Sequence, residues 1–303
     1  MMNIRPAAVA GAFYPAHADS LRRQLVECFD MAKQTVVPID FRPKALIVPH
    51  AGYIYSGPIA ASAYALLEPL RATIRRVVLL GPVHRVWVPG LALPGAEVFE
   101  TPLGQVPLDQ AGIAAIDGLP QVSISPAAHA EEHSLEVHLP FLQTVLADFS
   151  LIPLAVGSAS PEEVAEVLEI LWGGDETLIV ISSDLSHFLP YAEAKHVDAA
   201  TADAILRLEN HLVGEQACGA HPVNGMLLAA KRHRLTPHLL DLRNSGDTAG
   251  DRGRVVGYGA FALCERRDSD ARCSPPPQAG EGLGERETGM TSMLGGISQS
   301  HAS

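Results

Sequence analysis

Cysteine is scarce in this chain of 303 residues, and the little there is does not pair. Cys28, Cys218, Cys264 and Cys273 form no C-x-x-C motif. The spacing argues against a disulfide scaffold and a Cys-ligated zinc site, and it fits a reducing compartment. Positive charge is short as well: Lys and Arg number 22 against 34 Asp and Glu, a formal net charge of -12. No broad basic surface is left to neutralise phosphates, which argues against non-specific nucleic-acid binding. Anionic membrane surfaces are disfavoured for the same reason. A small anionic substrate is not, because one local Arg can hold it. Long hydrophobic runs are missing, since the apolar stretches are strand-sized and well below the ~20 residues of a membrane span. The stretch from Met1 to Pro15 has Arg5 and then Pro6 but no sustained apolar core. The expectation is no signal peptide, no membrane partner and a cytoplasmic location.

Apolar residues are plentiful overall: 47% of the chain is hydrophobic and 18% charged, enough for a sizeable core in one domain or at most two. Short apolar runs bounded by turn signals predict strands over 45–48, 77–80, 151–156, 178–181 and 255–263. Runs without polar alternation suit a sheet covered on both faces. Helical periodicity falls between them, over 19–33, 161–171, 191–208 and 223–231. The second of these, 161–171, opens on Ser160, Pro161 and Glu163, an N-cap, a first-turn proline and a reciprocal N3 carboxylate. The alternation predicts a single-domain α/β sandwich around a central sheet, largely parallel, or mixed if the extended stretch 98–107 joins it. That domain spans 1–265. From 266 to 303 the chain is rich in Gly, Pro, Ser and Glu with no apolar period, and reads as a disordered tail.

Three predicted strands end in chemistry-bearing loops. One delivers His50, one leads through Gly81-Pro82-Val83 to His84, and one leads to Asp184 and His187. In open α/β sheets the carboxyl ends of strands form the functional edge, so these side chains can converge without any local motif. A fourth loop, 243–254, carries Asp247 and Asp251 in a Gly-rich stretch. It reads either as an Asx turn or as a carboxylate presented to a metal. Two His and one carboxylate with open positions suit non-haem iron, and zinc accepts the same donors. That assigns His50, His84 and Asp247 as ligands, with Asp251 the alternative carboxylate. His129, Glu132 and His133 match an H-x-x-E-H peptidase pattern, which needs one helix carrying both His; Pro140 limits such a helix. Otherwise Glu131, His133 and Glu136 orient ligands from behind, or only cap and solvate. Arg5, Phe13, Tyr14, Tyr53 and Tyr55 either line a pocket or pack the N-terminal arm. Cys218 has no base beside it in sequence, and a Cys–His pair assembled in space stays open.

Taken together, His50 to Gly57 (HAGYIYSG), Leu80 to His84 (LGPVH), Glu132 to Glu136 (EHSLE), Ser182 to His187 (SSDLSH) and Gly257 to Gly259 (GYG) resemble the MEMO family. Its bacterial and archaeal members are also called AmmeMemoRadiSam system protein B. The resemblance runs from about Arg5 to Leu263. It implies a fold similar to the class III extradiol dioxygenases and a cleft that binds iron or copper. In the animal relative two His and one Cys hold the metal. His50 and His84 match the two His, and the third position falls in the 245–248 loop, where this chain has Asp247 and no Cys. Carboxylate for thiolate disfavours Cu(I) and favours iron or zinc. Val83 stands where relatives commonly place Ser. Asp184 and His187 match cleft residues, with His187 the implied acid/base and Asp184 its orienting partner, and His133 tuning the surroundings. The implied function is a metal-dependent, dioxygenase-like oxidoreductase with Fe(II), Cu or Zn and a small-molecule substrate. The alternatives are a non-enzymatic metal-binding or redox-protective protein, or an interaction module. The system name implies a functional association with a radical-SAM protein and an AMMECR1-like protein.

Overall fold

Each strand at the centre of the molecule is apolar on both sides because both sides are covered. The computed structural model describes residues 3–33 and 42–265. The predicted tail, 266–303, lies outside the described residues. In chain order the elements are β1 (Ile4–Arg5), α1 (Ala18–Lys33), β2 (Pro43–Val48), α2 (Tyr53–Tyr64), β3 (Arg76–Pro82), β4 (Leu91–Leu93), β5 (Val98–Thr101) and β6 (Gly104–Pro107). Then come α3 (Gln110–Ile116), β7 (Val122–Ile124), α4 (Pro126–Ala130), α5 (His133–Glu136), α6 (Leu139–Val145), β8 (Ser150–Val156), α7 (Pro161–Leu171) and β9 (Thr177–Ser182). The chain finishes with β10 (His187–Leu189), α8 (Tyr191–Leu206), α9 (Ala220–Arg232), β11 (Thr236–Asn244) and β12 (Val255–Cys264).

Nine of these strands form one mixed sheet in the order β10-β12-β2-β9-β3-β8-β4-β7, with β11 paired on β12. Its centre is parallel: β2 pairs with β9, β9 with β3 and β3 with β8 in the same direction. β12 runs antiparallel to β2, and β4 antiparallel to β8. The stretch 98–107 is extended as expected, but it joins β1 in a separate three-stranded sheet. The mixed character of the main sheet comes from β12 and β4 instead.

Successive side chains on the central strands feed two separate cores, as a period of two requires. Leu46, Val48, Val77, Leu79, Leu178 and Val180 pack on one face with Leu21, Leu25, Ile59 and Tyr64 of α1 and α2. Ala45, Ile47, Val78, Leu80, Ile179 and Ile181 pack on the other with Val164 and Leu168 of α7 and Val223 and Met226 of α9. This is the expected α/β sandwich, mixed in its sheet. The capping box that opens α7 is complete: the Ser160 hydroxyl accepts from the Glu163 amide, and the Glu163 carboxylate accepts from the Ser160 amide at 2.7 Å. No helix among the described residues is long and apolar enough to cross a membrane.

Candidate metal centre

The parallel strands β2, β3 and β9 deliver three of the predicted residues to one edge of the sheet. His50 follows β2, His84 follows β3, and Asp184 follows β9. A fourth group arrives from α5, which packs on that edge because β3 has no side chain at Gly81. A Cβ there would meet Ser134 Oγ at 2.9 Å and Leu135 Cδ2 at 3.0 Å. Ser134 then fixes the approach by donating its hydroxyl to the Pro82 carbonyl at 2.7 Å. The result is a triangle of imidazoles. One donor atom each from His50, His84 and His133 lie within 4.8 Å of one another, which makes this a group able to coordinate a metal ion. His50 is buried, His133 half-buried and His84 open.

Each ring is set by a partner. The Ser182 hydroxyl donates to the Ser134 carbonyl at 2.6 Å, so it must accept from His50 Nδ1, 2.6 Å away. That fixes the Nδ1–H tautomer and leaves the Nε2 lone pair free. Glu132, 1% exposed, accepts from His84 Nδ1 at 2.9 Å and from the His84 amide at 2.6 Å, and lies 3.3 Å from His133 Nδ1. Again Nε2 of His84 is the free nitrogen. A carboxylate behind two imidazoles is the usual outer support of a metal site, orienting the rings and raising their basicity. Burial alone would raise the Glu132 pKa, but hydrogen bonds from His84 and Ser134 outweigh it and hold the group at about 2. It is therefore anionic throughout the physiological range.

The remaining predicted residues divide. Asp184 sits in the centre: one oxygen accepts from the His50 amide at 2.8 Å and the other lies 4.0 Å from His50 Nε2. It braces the His50 loop; its carboxylate bonds to that loop and not to His187. Burial pushes its pKa up to about 7, against the pull of the His50 amide. His187 lines a cavity of about 630 Å³ together with His84, Leu189, Glu193, Gln216 and Cys218. Its Nδ1 donates to the Leu185 carbonyl at 2.8 Å, so the neutral ring carries its lone pair on Nε2. Burial lowers its pKa below the ordinary value.

The structure places Asp247 elsewhere. It closes the 3-10 turn Ser245–Asp247, accepting from Tyr191 Oη at 2.5 Å and from the Asn244 amide at 3.1 Å. Among the described residues it joins no metal-capable group. Asp251 is spent on an Asx turn, accepting from Gly253 N at 2.7 Å. Both carboxylates serve the local turn, the bland reading of that loop. The H-x-x-E-H pattern is broken between α4 and α5. His129 is buried with Nε2 donating to the Ala92 carbonyl at 2.7 Å, so it forms no pair with His133. Glu131 is exposed, and the orienting carboxylate is Glu132. Glu136 faces the N-terminal arm, where Tyr14 Oη donates to it at 2.5 Å. Tyr53 donates to the Val137 carbonyl at 2.6 Å. These aromatics pack the arm and brace helices.

Two buried histidines near the centre bear on acid stability. Burial lowers the pKa of His129 to about 4 and that of His138 to about 3. Unfolded, each takes up a proton near pH 6.5. Between those values the unfolded state binds more protons, so stability falls as pH falls, by up to about 1.4 kcal/mol per pH unit for each group. His50 and His133 are shifted the same way by burial. Asp184 and Asp198, both raised by burial, work in the opposite sense, but the histidines lowered by burial, His187 and His238 among them, outnumber them. Urea unfolding of the metal-free protein at pH 7, 6 and 5 is expected to give steadily lower free energies. A flat profile would contradict neutral, buried imidazoles.

A family model described as Memo-like protein matches residues 5–262. A MEMO1 family protein of Methanosarcina acetivorans is 35% identical over 283 residues, covering 86% of this chain and all of the relative. One from Aquifex aeolicus is 35% identical, covering 85% and 98%. One from Ignicoccus hospitalis is 36% identical, covering 86% and 98%. The chain belongs to the MEMO family. The three-histidine cluster contains a residue, His133, that the sequence pattern presents only as a supporting group. The signal lay within the EHSLE motif, whose Glu132 and His133 both reach the centre.

Proposed function

We propose that this MEMO family protein is a metal-dependent oxidoreductase that acts on a small molecule held in the cavity beside the three imidazoles. The supporting observation is the fit of the donor set. Two ring nitrogens, Nε2 of His50 and of His84, are left free by partners on the opposite nitrogen. Imidazole donors suit iron, copper and zinc alike. His50, His84 and His133 would hold the ion, with Fe(II) first on the strength of the family resemblance and Cu or Zn accepted by the same donors. Asp247 is replaced by His133 in this assignment, because its oxygens are committed to the turn. When bound, a redox-active ion would supply electron exchange between substrate and dioxygen.

The chain's own residues do the rest. Glu132 holds the His84 and His133 rings in place. Asp184 anchors the His50 backbone and places a second carboxylate near the ion's surroundings. His187, neutral at pH 7 with a bare Nε2, takes a proton from a substrate hydroxyl in the cavity. The cavity volume lies in the range of small-molecule sites.

The test is oxygen uptake by protein reconstituted anaerobically with Fe(II), across catechols and other small phenols. Uptake above a His50→Ala control is expected. His187→Ala should keep the metal and lose roughly 100-fold or more in rate. No uptake above the His50→Ala control would overturn the oxidative reading in favour of a protein that only holds metal.

A further inference from the structure

Phe188 stands between His187 and Leu189, which both line the cavity, and its backbone is left-handed, with φ at 61°. A residue with a Cβ adopts that conformation at a cost, and glycine is its usual occupant. The hydrophobic core does not impose it, because the Phe188 side chain is 60% exposed. Backbone strain kept beside a cavity-lining imidazole calls for a functional account. We propose that Phe188 is a positioning residue for His187: its bent backbone and its ring together hold the imidazole with Nε2 free. This rests on the reading of His187 as the base and deepens it.

The backbone contributes a bulge. His187 pairs with Val256 and Leu189 with Val255, so two steps along β10 match one step along β12, and Phe188 is the extra residue. A bulge re-aims the side chains next to it. The segment before it is pinned. The Leu185 amide donates to the Gly257 carbonyl and the Gly257 amide to the Ser186 carbonyl, each at 2.8 Å. The Ser186 amide donates to the buried carboxylate of Asp198 at 3.0 Å. Asp198 fits against β12 because Gly257 has no side chain; a Cβ there would lie 2.1 Å from Asp198 Oδ2. With 185 and 186 fixed, the bend that directs His187 falls on Phe188.

The ring contributes two contacts. It packs T-shaped against the His187 imidazole, with centroids 5.7 Å apart. The Arg254 guanidinium carbon lies 4.9 Å from the Phe188 ring centroid. Arg254 directly precedes Val255, the residue paired with Leu189, so this cation–π contact ties the ring to the strand opposite the bulge. His187 Nδ1 meanwhile donates to the Leu185 carbonyl at 2.8 Å. The imidazole is thus held through one nitrogen and through its ring, and the other nitrogen is left for a substrate proton.

The test reads the imidazole itself. Long-range proton–nitrogen NMR of the metal-free full chain at pH 8 separates a fixed Nδ1–H tautomer from an exchanging mixture, and His187→Ala assigns the signal. The fixed tautomer is expected in the native chain and in Phe188→Tyr, which keeps the ring. Phe188→Gly should show the mixture with a urea midpoint no lower than the native one, since glycine accepts the left-handed backbone. Arg254→Gln, which leaves β10 untouched, should shift toward the mixture. A fixed tautomer persisting in Phe188→Gly would overturn the proposal, as would a mixture in the native chain. So would a lowered urea midpoint in Phe188→Gly, which would make Phe188 a residue that only holds the fold. With Fe(II) and a catechol, Phe188→Gly should lose up to roughly 100-fold in kcat with KM little changed; an unchanged kcat would overturn the proposal. No oxygen uptake by the native chain would strike the oxidative reading alone, because the tautomer is read without metal or substrate.

Discussion

Replacing Arg5 with alanine is expected to lower the free energy of unfolding by about 3–5 kcal/mol, the range for breaking a buried ion pair from one side. Arg5 is 6% exposed and its partner Glu136 is fully buried, so neither charge has water to fall back on. The guanidinium pairs with Glu136 and also donates to three carbonyls: Pro6 at 3.1 Å, His129 at 3.0 Å and Glu132 at 2.8 Å. Glu136 in turn accepts from the amides of Ala8 and Val9 at 2.8 and 3.0 Å. Without Arg5 the carboxylate keeps those donors and Tyr14 but loses its counter-ion. The effect reaches the site as well, because the His129 and Glu132 carbonyls bracket the segment that presents Glu132 and His133. Urea denaturation of metal-free Arg5→Ala measures the loss, and metal affinity should fall in parallel. A loss under about 1 kcal/mol would contradict a buried pair of this kind.

The sheet was legible in the sequence because strands such as 77–80 and 178–181 are apolar throughout, and only strands buried on both faces read that way. Helix α7 was legible to the residue, because its start is written in Ser160, Pro161 and Glu163. Helix α2 was not. Ten of its twelve residues are buried and Pro58 lies inside it, so there is no polar face to create a period. β11 was missed for the converse reason: it is half-buried along nearly its whole length. At the site, His50, His84, Asp184 and His187 were readable as residues at strand ends. Asp247 misled because a carboxylate in a Gly-rich loop looks the same from sequence whether it faces a metal or closes its own turn. Glu132 was visible in a motif but its partner His84 lies 48 residues away, and Cys218 meets His50 across 168. Contacts over such separations are made by the sheet order, which places β9 between β2 and β3. No local spacing encodes them.

The largest functional effect should come from His133. If three imidazoles form the centre, removing one deletes a donor outright, which costs more than the 10–100-fold typical of losing an outer-shell group such as Glu132. Asp247 offers the sharpest contrast, since its two oxygens are held by the Tyr191 hydroxyl and the Asn244 amide. Removing it should loosen that turn and leave the metal in place. His50→Ala serves as the reference for complete loss. Elemental analysis after anaerobic purification, paired with equilibrium dialysis against Fe(II), reads all four proteins on one scale. One equivalent of metal in the native chain and in Asp247→Ala, with less than a tenth of that in His50→Ala and His133→Ala at matched free Fe(II), is the predicted result. Full occupancy in His133→Ala, with metal lost from Asp247→Ala, would contradict the three-histidine centre.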